Sequence, residues 1–373
     1  MVVDDSAVIR GLLTKALNAD PQIEVVASAS NGELALKALE KHDIELVVLD
    51  IEMPVMDGMT ALPLLLKAKP GIQVIMASTL TRKNAEVSLR AMAQGAADYV
   101  AKPTSTSEIF SADDFQRELT DKIKAVAGAA LRALARRGGG AADQAPARPD
   151  DAGALGAKRV KEAPVSPPPT SIKLRPAPGR PPEIIAIGSS TGGPQALLSV
   201  LCGLGKDIRQ PILITQHMPG TFTALLAEHI ARATSVPCSE GRDGEAIVPG
   251  HIYLAPGDYH MVVERGAEGN VIRLNQNPPV NFCRPAVDPM LHSMAPIYGS
   301  RLLVIILTGM GHDGCDGAAA VTRAGGSVIA QDEATSVVWG MPGAVATAGL
   351  CSAVLPLPEI APYVRKLAVR SAA

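Results

Sequence analysis

Ile184-Ile185-Ala186-Ile187-Gly188-Ser189-Ser190-Thr191-Gly192-Gly193-Pro194 runs from an apolar stretch, through a glycine-rich turn, into a segment with helical spacing. A buried strand followed by a tight turn and a helix is the repeating unit of a parallel α/β sheet. Within it, Gly188-Ser189-Ser190-Thr191-Gly192 has the Gly-x-Ser-x-Gly form that lifts a serine oxygen, here that of Ser190, out at the carboxyl edge of the sheet. Taken alone, these residues leave three readings open: a nucleophile's turn, a structural glycine turn, or a phosphate cradle lacking the usual Gly-Lys-Ser/Thr.

Working outward, Pro211 to Thr215 reads as a buried strand ending at Gln216-His217-Met218-Pro219, and Arg301 to Leu307 as another, ending at Thr308-Gly309-Met310-Gly311-His312-Asp313-Gly314. Ser190, His217 and Asp313 therefore each follow a strand, on the edge where open α/β sheets gather their chemistry. A nucleophile, a base and an orienting acid can meet there. Of the other histidines, His42 and His229 fall on expected helices, and His251, His260 and His292 follow no matching strand end. His312 neighbours Asp313 in a glycine turn that points adjacent side chains apart. No His-Glu-x-x-His spacing suggests a metal in this half. The chain order Ser, His, Asp differs from the Ser, Asp, His of α/β-hydrolases, which disfavours that fold without touching the chemistry, since triads are defined by geometry and role.

The amino-terminal third alternates short β-rich runs (Met1 to Val3, Glu24 to Ala27, Glu45 to Leu49, Gln73 to Ala77, Asp98 to Val100) with helical patterns such as Val8, Ile9, Leu12, Leu13, Ala16 and Leu17. Five strands and five helices around a second parallel sheet are expected. Asp4, Asp5 and Asp50 close strands, Ser78 follows the fourth and Lys102 the fifth, so three carboxylates and one ammonium share a crevice. Clustered carboxylates repel unless a hard cation joins them, and an oxygen-only set suits Mg²⁺. Only Met1 to Val3 precede Asp4, fewer than a strand's usual ~5 to 6 residues. Either the natural start lies upstream or this strand is weakly held.

The chain has 373 residues, 47% of them apolar and 3% aromatic, enough for two aliphatic cores. A net charge of −2 provides no general field for nucleic acid or anionic lipid. Five cysteines without Cys-x-x-Cys spacing indicate neither a disulfide framework nor a zinc ribbon. With no leader-like opening and no membrane-length apolar run, a cytoplasmic location is expected and direct membrane insertion is not. Between Arg136 and Pro182 there are ten prolines and no aromatic residue. Such a segment buries too little to offset ordering entropy, so a disordered Pro/Ala/Gly-rich linker with a reach of about 40 Å is expected. The division is 1–127, linker 128–182, and 183–370.

Val-Asp-Asp-Ser (3–6), Leu-Asp-Ile-Glu-Met-Pro-Val-Met-Asp-Gly (49–58), Met-Ala-Ser (76–78) and Asp-Tyr-Val-Ala-Lys-Pro (98–103) resemble a response-regulator receiver domain. The resemblance implies a flavodoxin-like sheet of order 2-1-3-4-5 and phosphorylation of Asp50 by a partner histidine kinase. It places Mg²⁺ on Asp5, Asp50 and the backbone carbonyl of Glu52, with Asp4 assisting. Ser78 and Lys102 would contact the phosphoryl oxygens, and Tyr99 would report the switch.

Ile187 to Pro194, Thr215 to Pro219, Ile252 to Gly257, Arg284 to Asp288, Leu307 to Gly314, Ala330 to Ser336 and Gly340 to Pro342 complete a second resemblance, to the receiver-linked protein-glutamate methylesterases of bacterial chemotaxis. Asn281-Phe282-Cys283 looks less standard. The resemblance implies a serine esterase acting on glutamate methyl esters, and on glutamine amides, of methyl-accepting chemotaxis receptors, with recruitment to receptor arrays. Ser190 would attack, His217 act as base and Asp313 hold its imidazole, while backbone N–H groups of Thr191 and Met310 face the oxyanion. The esterase step needs no cofactor, and the unphosphorylated receiver is expected to cover the Ser190 edge. A DNA-binding regulator would need a basic helix-turn-helix unit, which is not found. A catalytically silent phosphorylation-dependent adaptor is the remaining rival.

Overall fold

The computed structural model describes residues 1–79, 81–102, 113–139 and 172–368. The first domain has β1 (Val2–Val3), α1 (Ala7–Asn18), β2 (Ser28–Ala29), α2 (Gly32–Leu39), β3 (Leu46–Asp50), α3 (Gly58–Ala68), β4 (Gln73–Thr79), α4 (Arg82–Ala93), β5 (Asp98–Lys102) and α5 (Asp113–Gly139). Its five strands are parallel, in the expected order β2-β1-β3-β4-β5. Four helices begin on a side chain that accepts an orphan amide three residues on: Ser6, Asn31, Asp57 and Thr81.

Two expectations shift. The second strand falls at Ser28–Ala29 rather than at Glu24 to Ala27, because β1 offers only Val2 and Val3 for pairing and these register with Ser28 and Ala29. The expected linker start at residue 128 falls inside α5, which continues to Gly139. Ala, Leu and Arg surround Gly128, and one glycine costs only about 1 kcal/mol in such a run. Residues 140–171 of the expected linker lie outside the described residues; 172–182 form an extended segment whose Arg175 N–H donates to Cys351 O.

The second domain comprises β6 (Ile184–Ser189), α6 (Gly193–Leu204), β7 (Ile212–Gln216), α7 (Gly220–Thr234), β8 (Cys238–Glu240), β9 (Ile252–Leu254), β10 (His260–Arg265), β11 (Asn270–Asn275), α8 (Val287–Tyr298), β12 (Leu302–Ile306), α9 (Cys315–Arg323), β13 (Ser327–Gln331), α10 (Gly340–Thr347), β14 (Ala353–Leu355) and α11 (Leu357–Ala368). A seven-stranded parallel sheet runs β14-β13-β12-β6-β7-β9-β8, with β10 and β11 forming a separate antiparallel hairpin. The central strands β12, β6 and β7 are buried along their whole length, which is why they read as unbroken aliphatic runs.

The two domains pack together. Leu89, Met92, Ala96 and Tyr99 share one apolar cluster with Phe222, Leu225 and Leu226 of α7. Tyr99 stacks on Phe222 with ring centroids 4.3 Å apart and planes 15° apart. Gln195 on α6 donates to the carbonyls of Met92 and Ala96, at 3.0 and 2.7 Å. Helix α5 contributes Phe115, Leu119, Ile123 and Val126 to a cluster that takes in Met310, Val337 and Val338 of the second domain.

Candidate functional site

Strand register sets the site. Ser189 pairs with Gln216 and Gly188 with Ile306, so Ser190, His217 and the turn holding Asp313 leave three adjacent strand ends. Gln216 staples two of them: its Oε1 accepts from Ser189 Oγ at 2.6 Å, and its Nε2 donates to the carbonyls of Ser190 and His217 at 3.0 and 3.2 Å. A Cβ on Gly193 would lie 2.0 Å from Gln216 Oε1, and one on Gly309 would lie 2.9 Å from Ser190 Cβ. Both glycines are fixed by close approach. Gly192, at φ 75°, starts α6 in a conformation that side chains disfavour.

His217 Nε2 donates to Asp313 Oδ2 at 2.7 Å. Asp313 is buried and also accepts from the N–H groups of Val287 and Asp288 at the start of α8, from Gly314 N–H, and from Asn281 Nδ2 at 3.1 Å. Burial works to raise the carboxyl pKa, but His217 and the α8 amides outweigh it and bring Asp313 down to about 2. Burial likewise works to lower His217, and the adjoining Cys283 and Asp313 outweigh it, lifting the imidazole to about 10.

His217 thus stabilises the fold in full below its ordinary value of 6.5 and loses that contribution as pH rises through about 10. Asp313 contributes above 3.8, and its share is lost as pH falls through about 2. The advantage of the wild type over His217→Gln in urea unfolding is expected to shrink between about pH 7 and pH 10. An advantage that stays constant over that range would rule out a ring held charged in the fold.

The other ring nitrogen, His217 Nδ1, faces Cys283 Sγ at 3.3 Å. The Ser190 hydroxyl makes no hydrogen bond among the described residues, and neither do the backbone N–H groups of Thr191 and Met310. Thr191 Oγ1 is buried without a partner. Ser190, His217 and Asp313 therefore leave adjacent strand ends, with His217 and Asp313 joined by a hydrogen bond.

Sequence reasoning passed over three residues here: Asn281, Cys283 and Asp288, whose Oδ2 accepts from Asn281 and whose Oδ1 accepts from Gly317 N–H. Their signal was position, since Asn281 and Cys283 lie just before the Arg284 to Asp288 motif and Asp288 ends it. The remaining histidines lie apart from this site. Nδ1 of His260 accepts from Ala286 N–H, His251 contacts Ser239 and Tyr253, His292 meets Asp316, and His312 is exposed. His229 is on α7 as expected, whereas His42 lies just beyond α2.

At the first domain's edge, Asp4, Asp5 and Asp50 present carboxylate oxygens within 4.8 Å of one another. Lys102 Nζ reaches Asp4 at 2.5 Å and Asp50 at 2.7 Å. Burial raises the Asp50 pKa, with Lys102 acting against it. Gly58 is obligatory beside this site, since a Cβ there would lie 2.1 Å from Asp50 O. Ser78 is buried on β4, its hydroxyl 3.0 Å from that of Ser88. The Glu52 side chain pairs with Lys83 at the surface. Tyr99 lies outside the crevice, between the domains.

A five-stranded parallel domain with an acidic crevice, docked on a parallel α/β domain that gathers serine, histidine and aspartate, defines a receiver-linked hydrolase. Family models agree: a response regulator receiver domain matches residues 1–112 and CheB methylesterase matches 185–364. The protein-glutamate methylesterase/protein-glutamine glutaminase 1 of Paramagnetospirillum magneticum is 58% identical, covering 99% of this chain and 96% of its own. The protein of that activity name from Azospirillum brasilense is 56% identical over 100% of this chain and 93% of its own. The crystal structure of the Thermotoga maritima CheB methylesterase catalytic domain is 41% identical, with TM-score 0.49, covering 50% of this chain and 98% of that one. The chain belongs to the receiver-linked CheB methylesterase family.

Proposed function

We propose that this protein hydrolyses glutamate γ-methyl esters, and deamidates glutamine, on chemotaxis receptors under control of phosphorylation at Asp50. The observation that carries the reading is the 2.7 Å His217–Asp313 bond at the strand edge that also holds Ser190. In the neutral form of the ring, which gains on the charged form as pH rises towards about 10, Ser190 Oγ attacks the ester carbonyl as its proton passes to His217 Nδ1, the ring nitrogen not engaged by Asp313. Asp313 keeps Nε2 protonated and stabilises the imidazolium. The free N–H groups of Thr191 and Met310 receive the oxyanion. His217 then returns the proton to the departing methoxide, releasing methanol; for glutamine the leaving group is ammonia. Water, deprotonated by the same nitrogen, frees the glutamate carboxylate.

In the receiver, Asp4, Asp5 and Asp50 make an all-oxygen anionic set that fits Mg²⁺, with the Glu52 carbonyl as a further ligand. The bound cation would supply positive charge against the phosphoryl oxygens. Lys102 would leave its two carboxylates to meet the incoming anion, and Ser78 would give up Ser88. A partner histidine kinase provides the phosphoryl group, and the docked receptors bring the protein to their arrays. Among the described residues no helix is long and apolar enough to cross a membrane.

Control would pass through the interface: Tyr99 rests on Phe222, and α5 packs on Met310, whose N–H is an oxyanion donor. Gln195→Ala removes two interdomain hydrogen bonds and is expected to weaken docking by about 1 to 2 kcal/mol, which raises the open population about five- to thirty-fold. Methanol release without phosphodonor should rise towards that factor, and the stimulated rate should stay as in the wild type. An unchanged basal rate would count against occlusion.

The function itself is tested by methanol release from methylated receptor membranes, with and without a small phosphodonor plus Mg²⁺. Release that rises with phosphodonor supports the proposal. No release under either condition would leave the silent adaptor.

A further inference from the structure

Cys283 occupies the place at His217 that the mechanism reserves for Ser190. Its Sγ lies 3.3 Å from Nδ1, the opposite ring nitrogen is bound to Asp313 at 2.7 Å, and the three groups form a thiol–imidazole–carboxylate line. The thiol is pinned. Val280 and Cys283 exchange both backbone hydrogen bonds at 2.9 and 3.0 Å across a turn whose two central residues, Asn281 and Phe282, take φ of 51° and 63°. Asn281 ties the same turn to Asp313. Cys283 is half-buried, beside Phe282, which is 92% exposed.

From this geometry we propose that Cys283 is a modification site for peroxides, at which oxidation of the thiol withdraws His217 from catalysis. With the ring neutral, His217 Nδ1 takes the thiol proton as sulfur attacks one peroxide oxygen. The S–O bond forms and the O–O bond breaks; the departing hydroxide takes up the proton and leaves as water. Sulfur is oxidised by two electrons to the sulfenic acid and the peroxide is reduced. The new oxygen then stands at Nδ1, in the path of the Ser190 proton.

The other four cysteines lack such a base. Cys202 is exposed on α6, and burial pushes the thiols of Cys238 and Cys351 up to about 12. Burial, with Asp288 and Asp316 nearby, also raises Cys315.

The inference rests on His217 and Asp313 being the base pair of the esterase, so its test is read by mass as well as by turnover. The full chain is treated with hydrogen peroxide, sulfenic acid is trapped with dimedone, and peptide masses give the rate at each cysteine. Cys283 is expected to react about tenfold or more faster than Cys202, with methanol release falling in step, and His217→Ala is expected to slow labelling of Cys283 by a similar factor. Equal rates at Cys283 and Cys202 in the unaltered protein, or loss of activity while Cys283 stays unlabelled, would overturn it. Rapid labelling of Cys283 in a protein that never released methanol would uphold the reactive thiol and sink the esterase reading instead.

Discussion

Ser190→Ala is expected to lower kcat for methanol release by about 10⁴- to 10⁶-fold, with the fold intact. The side chain makes no hydrogen bond among the described residues, and its turn is held by backbone contacts, Ser190 N–H to Thr308 O at 3.0 Å and Gly193 N–H to Ser190 O at 2.7 Å. Alanine therefore removes the nucleophile and little else. What remains is the residual catalysis that an oxyanion site and substrate binding give over water, about 10³- to 10⁴-fold. Adding His217→Ala should lower the rate scarcely further, because members of one catalytic unit are grossly non-additive. The check is single-turnover methanol release beside a urea unfolding curve. Activity within tenfold of wild type would remove Ser190 from the reaction and leave Cys283, the thiol at His217 Nδ1, as the group to test.

Asp313→Asn should be nearly as severe, with kcat down by about 10⁴-fold, and unlike the serine change it should also destabilise. The hydrogen bonds this carboxylate accepts come from His217 Nε2 and Val287 N–H on one oxygen, and from Asp288 N–H, Gly314 N–H and Asn281 Nδ2 on the other, with the Asp288 carboxyl beside them. An asparagine must turn its own NH₂ towards one of these groups. A buried donor left unsatisfied costs about 1 to 3 kcal/mol. If the amide faces His217, the ring must present an unprotonated Nε2 to it, which leaves the proton on Nδ1, the nitrogen that should accept from Ser190. Urea unfolding and kcat measured together check both halves. Loss of activity at unchanged stability would mean that the asparagine had found partners these donors do not offer.

Much of this architecture could be read in the chain because parallel strands buried on both faces leave continuous aliphatic runs, and the turns after them keep their polar residues. Ile184 to Ile187, Pro211 to Thr215 and Arg301 to Leu307 identified the three strands that carry the site, and Ser190, His217 and Asp313 follow them. The second strand was misplaced because register depends on the two residues its neighbour supplies, which local composition does not encode. Helix α5 overran the expected boundary because glycine weighs less in an Ala/Leu/Arg run than it does in a loop.

The sequence by itself determined two parallel α/β domains, the acidic crevice of the first and the three side chains at the strand edge of the second, since each follows from periodicity and from residues beside strand ends. Only the tertiary structure decided that Cys283 faces His217, that Asn281 supports Asp313, and that Tyr99 stacks on Phe222 of the other domain. Those contacts join residues 32 to 123 positions apart, or set by the backbone of one tight turn. They depend on how finished elements pack, and no short stretch of chain records that.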